Sequence, residues 1–173
     1  IGPQNVRLED LRTKDGAPVY RLYLPYGRSA LQRDQNTEIP SELASYVEGW
    51  DVLIATPARI PAALRKQAEQ LRMQVQHAPN VVSTLARIEE DQKLDAMVID
   101  KRLFRTEAEG LLRAILKLRP SAGIVVLSND PDSESGDLRS EVSFVPADSG
   151  PNSVVLAMIE ARSYAMRRGV TSR

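Results

Sequence analysis

Two hydrophobic periods divide this chain. Val6-Arg7-Leu8-Glu9 and Val19-Tyr20-Arg21-Leu22-Tyr23-Leu24 alternate apolar and polar positions on either side of Thr13-Lys14-Asp15-Gly16, the pattern of two strands joined by a turn. A hairpin of that size does not fold alone. Arg28 to Pro40 is polar, with Arg33-Asp34-Gln35-Asn36-Thr37-Glu38 at its centre, the composition of a linker. Ser41 to Tyr46 predicts a short helical turn with Ser41 as its cap.

From Asp51 onward, short apolar runs alternate with stretches at helical spacing. Asp51 to Ala55 predicts a strand that stops at Thr56-Pro57. Pro61 to Arg72 puts Leu64, Ala68 and Leu71 on one helical face, and Pro61 suits a first turn. Gln74 to Ala78 is a thin second strand. Val81 to Glu90 predicts a helix through Val81, Leu85 and Ile88, flanked by Val82 and Ala86. Asp95 to Asp100 gives a third strand, and Thr106 to Leu118 a helix capped by Thr106 with Glu109 behind it. Gly123 to Ser128 and Val142 to Val145 add two more strands, and Asn152 to Arg168 predicts a terminal amphipathic helix.

Regular alternation of this kind implies parallel strands joined by right-handed helical crossovers. The expected fold is therefore α/β: a five-stranded parallel, flavodoxin-like sheet with helices on both faces, plus an N-terminal β-hairpin. Its fourth helix is expected to be weak or absent, because Asp130 to Ser140 has few apolar residues and two helix breakers, Pro131 and Gly136. Residues 1–27 form the hairpin segment in this reading, 28–50 a linker and 51–173 the α/β domain.

Composition narrows the function. With 173 residues, 42% apolar and 27% charged, the chain buries one ordinary core. Lysine plus arginine equals aspartate plus glutamate at 23 each, so net charge draws in neither nucleic acid nor an anionic membrane. Cysteine is absent and histidine occurs once, at His77, which leaves no disulfide, no thiolate chemistry and no His/Cys metal cluster. No cofactor is expected. No apolar stretch approaches the roughly 18 to 20 residues that span a bilayer, and no signal peptide opens the chain, so the expected compartment is the cytoplasm. Ile1-Gly2-Pro3 reads as the start of a fragment.

The chemistry converges on Asp100. It ends the run Met97-Val98-Ile99-Asp100, at the carboxyl end of a buried parallel strand, where open α/β sheets hold their ligands. Together, in order, Val52-Leu53-Ile54-Ala55, Met97-Val98-Ile99-Asp100, Ile124-Val125-Val126-Leu127-Ser128 and Phe144-Val145-Pro146 resemble the strands of the receiver domains of two-component signalling. The resemblance covers residues 51–168 and implies that Asp100 descends from a phosphoacceptor and Ser128 from the hydroxyl residue beside it.

The departures from that family point to a degenerate receiver. Acidic residues after the first strand normally help the phosphoacceptor hold Mg²⁺, a hard cation that requires oxygen ligands. Here those places read Thr56-Pro57. Val145 stands where a lysine before the fifth-strand proline binds phosphoryl oxygens, and Phe104 where a proline is usual in the loop after Asp100. Without metal or lysine, phosphoryl transfer loses the electrostatic stabilisation it depends on, each such contribution being worth about 3 to 4 kcal/mol. Lys101 and Arg102 could replace the missing cation, although a solvated loop charge or surface ion pair is the commoner fate of such residues. Ser128 fits a role in the pocket or a backbone bond that ends its strand.

Further resemblances and alternatives stand beside this. The segment Lys14-Asp15-Gly16-Ala17-Pro18-Val19-Tyr20-Arg21-Leu22-Tyr23-Leu24-Pro25 is similar to the last hairpin of a histidine-kinase ATP-binding domain. That order implies a hybrid histidine kinase, whose kinase core or another two-component protein is the expected partner, and a fragment that is not itself an enzyme. Arg59, beside Thr56-Pro57, suits an anion or nucleotide phosphate, and the resemblance to degenerate receivers, some of which bind a cyclic dinucleotide, makes such a ligand one alternative. Phosphorylation of Asp100 by an atypical route is another. His77 and Trp50 read as structural residues. The terminal helix has more apolar residues than one face needs; Val155, Met158 and Tyr164 serve either the core or a partner surface, a homodimer included.

Overall fold

The computed structural model describes residues 7–12, 18–23, 38–104, 108–131, 138 and 141–171. The chain divides into two units, Ile1–Asp34 and Gln35–Arg173. In the first, β1 (Arg7–Arg12) and β2 (Pro18–Tyr23) pair antiparallel with Leu8 opposite Leu22. The expected hairpin is present, with its first strand running to Arg12 rather than ending at Glu9. Its turn, Thr13 to Gly16, lies outside the described residues, as does most of the polar stretch from Arg28.

The second unit includes the short helix expected from Ser41, within the stretch 28–50 that the sequence assigns to a linker. Helix α1 spans Ser41–Val47. Ser41 is its first helical residue, not its cap; Pro40 takes the N-cap position with φ −54° and ψ 145°, and no side chain caps the helix. Proline's fixed φ sets this entry, and its missing N–H costs nothing at a helix start. Leu43, Val47 and Trp50 are buried. The segment from residue 41 to 50 therefore belongs to the folded unit, and the expected linker boundary at residue 50 falls too late.

Five parallel strands follow: β3 (Asp51–Ala55), β4 (Gln74–Ala78), β5 (Ala96–Asp100), β6 (Gly123–Ser128) and β7 (Ser143–Pro146), in the order β4-β3-β5-β6-β7. Between them lie α2 (Ala62–Gln70), α3 (Val81–Glu90) and α4 (Ala108–Leu118), and α5 (Pro151–Thr171) closes the chain. Pro61 precedes α2 as its N-cap instead of entering the first turn. Thr106, the expected cap of α4, and most of the weak stretch after Asp130 lie outside the described residues, although Leu138 is buried in the core.

Strand alternation divides the core in two. Leu53, Ala55, Met97, Ile99, Ile124, Val126 and Phe144 pack with Ile88, Leu112 and Ile115 from α3 and α4. The intervening residues Val52, Ile54, Ala96, Val98 and Val125 are buried too, on the face where α5 packs against β6 and against α2. Residues Val154 to Ile159 of α5 are buried without interruption. That places Val155 and Met158 in the core, while Tyr164 is exposed.

The amino-terminal edge of the sheet is fastened by α5. A Cβ added to Gly123 would lie 2.5 Å from the Arg162 backbone nitrogen and 2.9 Å from its Cα, so β6 begins where helix and strand backbones touch. The Arg162 guanidinium pairs with Asp95 Oδ1 at 2.9 Å. It also donates to the Asp95 and Ser121 carbonyls at 3.1 and 3.3 Å, and lies 5.7 Å from the Trp50 ring centroid. None of the helices among the described residues is long and apolar enough to cross a membrane.

Candidate functional site

The strand order reverses between β3 and β5, because the chain leaves β3 to build β4 on one side and returns to build β5 on the other. A crevice opens at such a reversal, outside the carboxyl ends of the strands. Thr56 follows β3 there, and Asp100 ends β5. Ser128 ends β6, and Val145 of β7 lies opposite Leu127 in the register. Thr56, Asp100 and Ser128 are all buried.

Asp100 is satisfied by its own chain. Its Oδ1 accepts the Arg102 backbone N–H at 3.0 Å and Arg102 Nε at 3.1 Å. Its Oδ2 accepts Arg102 Nε at 3.1 Å, Arg102 Nη2 at 2.6 Å and the Thr56 hydroxyl at 3.2 Å. A short 3₁₀ turn, Lys101–Leu103, makes this possible: Asp100 caps it, and the turn swings Arg102 back over the strand end. The fork of the guanidinium matches the plane of the carboxylate. The Asp100 side chain is 8% exposed and that of Arg102 63%, so a buried anion meets a cation anchored at the surface.

Burial alone pushes the Asp100 carboxyl up. The Arg102 side-chain bonds, its backbone N–H, its charge and the Thr56 hydroxyl outweigh burial, and the carboxyl is held below its ordinary value of 3.8. A depressed folded-state pKa stabilises the fold above the unfolded value, near 3.9, and that contribution is lost as pH falls through the folded value. Arg102→Gln is expected to raise the Asp100 midpoint, followed by the ¹³C shift of its carboxyl, and to move acid unfolding to higher pH. An unchanged midpoint contradicts the pairing.

Thr56 completes the ring of contacts on the β3 side. Its backbone N–H donates to Ala78 O at 3.0 Å, and its hydroxyl accepts Ala58 N–H at 3.3 Å. On the β6 side, Ser128 Oγ accepts the Asp130 N–H at 3.2 Å. A shallow cavity of about 240 Å³ lies beyond, lined by Lys101, Arg102, Leu127, Ser128, Asn129 and Asp130.

Of the residues singled out in the sequence, Thr56 and Asp100 are in contact, and Ser128 and Val145 line up on the neighbouring strand ends. Pro57 and Arg59 are exposed on the loop before α2, and neither is among the described partners of Asp100. Arg102 is the residue whose part the sequence understated. The signal was its place two residues after a strand-ending aspartate, within reach of a tight turn.

A Mg²⁺ ion of the kind receivers hold does not fit these residues. Thr56-Pro57 offers no anionic oxygen, and both oxygens of Asp100 are engaged by a guanidinium whose positive charge repels a second cation. Among the described residues, no group of three or more His, Cys, Asp or Glu side chains is placed to hold a metal.

No protein-family model matches the sequence, and no curated protein matches it. Solved structures do match in fold. A CheY-like response regulator receiver domain from Methanospirillum hungatei JF-1 is 18% identical, with a TM-score of 0.57 over 70% of this chain and 99% of its own. A response regulator from Burkholderia pseudomallei, with a phosphorylated aspartic acid and a calcium ion, is 16% identical with a TM-score of 0.54, over 72% of this chain and 75% of its own. An adenylate cyclase structure from Rhodopirellula baltica is 14% identical with a TM-score of 0.57, over 72% and 96%. The fold is that of CheY-like receiver domains.

Proposed function

We propose that residues 51–173 form a pseudo-receiver: a non-enzymatic regulatory domain of a two-component protein that docks on a partner without Mg²⁺-dependent phosphorylation of Asp100. The observation that carries this reading is the Arg102 fork on both carboxylate oxygens. A carboxylate so paired is a weaker nucleophile, and neither Thr56 after β3 nor Val145 on β7 supplies an anionic metal ligand or a cation. The Burkholderia pseudomallei regulator, of the same fold, has a phosphorylated aspartic acid and a calcium ion; here the cation that meets Asp100 is Arg102 of the chain itself.

The partner in this reading is the kinase core of a cytoplasmic hybrid histidine kinase, or another two-component protein. The domain acts by docking and release, with any effector working through its different affinity for the two states. Arg59 gathers none of the residues described around Asp100, so a cyclic dinucleotide held there has no support from geometry.

Beryllofluoride with Mg²⁺ mimics a phosphorylated aspartate and tests the proposal. The amide resonances of Thr56, Asp100, Arg102 and Ser128 are expected to stay where they are in the free protein. Saturable shifts at these four positions, reversed by chelation of the metal, contradict the reading.

A further inference from the structure

The single histidine of the chain reaches the Asp100 site through Thr56. His77 is half-buried in the edge strand β4, opposite Ile54 of β3. Its Nε2 lies 3.1 Å from the Thr56 carbonyl oxygen. A carbonyl oxygen only accepts, so Nε2 carries the hydrogen and the neutral ring is the Nε2–H tautomer. The charged ring keeps the same N–H, so the contact needs only that this nitrogen stay protonated.

The Thr56 backbone is thereby held on both sides of its Cα. Its N–H donates to Ala78 O at 3.0 Å and its C=O accepts from His77, and both partners belong to the end of β4. A threonine with its backbone fixed has few χ1 choices. The rotamer it takes turns Oγ1 to Asp100 Oδ2 at 3.2 Å while Oγ1 accepts the Ala58 N–H at 3.3 Å. The hydroxyl has one hydrogen, and that second contact leaves it directed at the carboxylate.

We infer that His77 is a positioning residue for the Asp100 site, holding the Thr56 backbone so that the Thr56 hydroxyl meets the carboxylate. The inference rests on the reading of Asp100 as a carboxylate satisfied by its own chain. It extends the site to β4, a strand that supplies none of the contacts to Asp100 itself.

The test uses NMR on the 173-residue chain, in which the lone histidine gives an unambiguous ring signal. In the wild type, the neutral ring is expected to show a protonated Nε2 and a bare Nδ1; the opposite tautomer overturns the inference and requires no variant. The Asp100 carboxyl midpoint is then followed in His77→Phe, which lacks a donor, and in His77→Gln, whose amide can replace it. His77→Phe is expected to raise the midpoint, and His77→Gln to recover more than half of the change. In a Thr56→Val background, which keeps the branched shape without the hydroxyl, more than half of the His77→Phe effect is expected to vanish. An unmoved midpoint, or the same shift with and without the Thr56 hydroxyl, overturns the role. A phosphoryl adduct on Asp100 would defeat the pseudo-receiver reading alone, since it leaves the ring tautomer and the His77–Thr56 coupling measurable.

Discussion

Gly123→Ala is expected to destabilise the Gln35–Arg173 unit by about 3 kcal/mol, the upper part of the range for overpacking a well-filled interior. The added methyl meets backbone, not a flexible side chain: 2.5 Å to the Arg162 nitrogen, 2.9 Å to its Cα and 3.0 Å to the Ala161 carbonyl carbon. Relief requires moving α5 off β6, and α5 is buried without a break from Val154 to Ile159. For a unit of this size the loss corresponds to a fall in Tm of about 10 °C. Gly110 supplies the control. It lies in α4, and a methyl added there would meet nothing within 4 Å, so Gly110→Ala is expected to stabilise by about 0.5 to 1 kcal/mol through helix propensity. Equal effects of the two substitutions would contradict the close approach at Gly123.

Arg162→Met is expected to cost about 3 kcal/mol, read by urea unfolding of Trp50 fluorescence, the chain having one tryptophan. Methionine keeps much of the buried stem and removes only the guanidinium. Asp95 Oδ1 then loses its cation and the Asp95 and Ser121 carbonyls lose a donor, while Asp95 Oδ2 still accepts the Asp51 N–H at 2.9 Å. The side chains of Arg162 and Asp95 are 18% and 21% exposed, so the loss falls at the lower edge of the range for breaking a buried pair. Arg162→Lys is expected to recover only part of it, because one ammonium cannot reproduce the planar fork that serves three acceptors and stacks on Trp50. A change in Trp50 emission should accompany the loss, and its absence would place the ring outside the reach of Arg162.

Strands β3, β5 and β6 were legible because each is a short apolar run closed by a polar or breaking residue, and β5, buried at every position, shows why parallel central strands lack alternation. Helix α3 matched its expected bounds at Val81 and Glu90, with Asn80 and Ser83 forming a reciprocal cap. Helix α1 was legible as a short turn from Ser41, but its burial in the core was not. Leu43 and Val47 make a single turn of apolar spacing inside a polar stretch, and only contact with the rest of the unit shows that they are core. Arg162 was hidden for a related reason: its acceptors lie 67 and 41 residues away in sequence, and nothing local marks it out among the other arginines of α5. At the site, the missing acidic residues and lysine could be read directly as Thr56-Pro57 and Val145. The turn that brings Arg102 onto Asp100 could not, because the choice between a solvated and a paired arginine depends on how the chain bends after β5. The surplus apolar positions of α5 illustrate the same limit, since Val155 and Met158 are core and Tyr164 is surface, a division set by what packs on the helix and not by its own sequence.

The central claim is that Asp100 is a carboxylate neutralised by its own chain and not a Mg²⁺-dependent phosphoacceptor. Its most direct test is intact-mass measurement of the protein after incubation with acetyl phosphate and Mg²⁺, with peptide mapping of any product. The account predicts an unmodified mass for the wild type. A stoichiometric gain of one phosphoryl group mapped to Asp100 would contradict it.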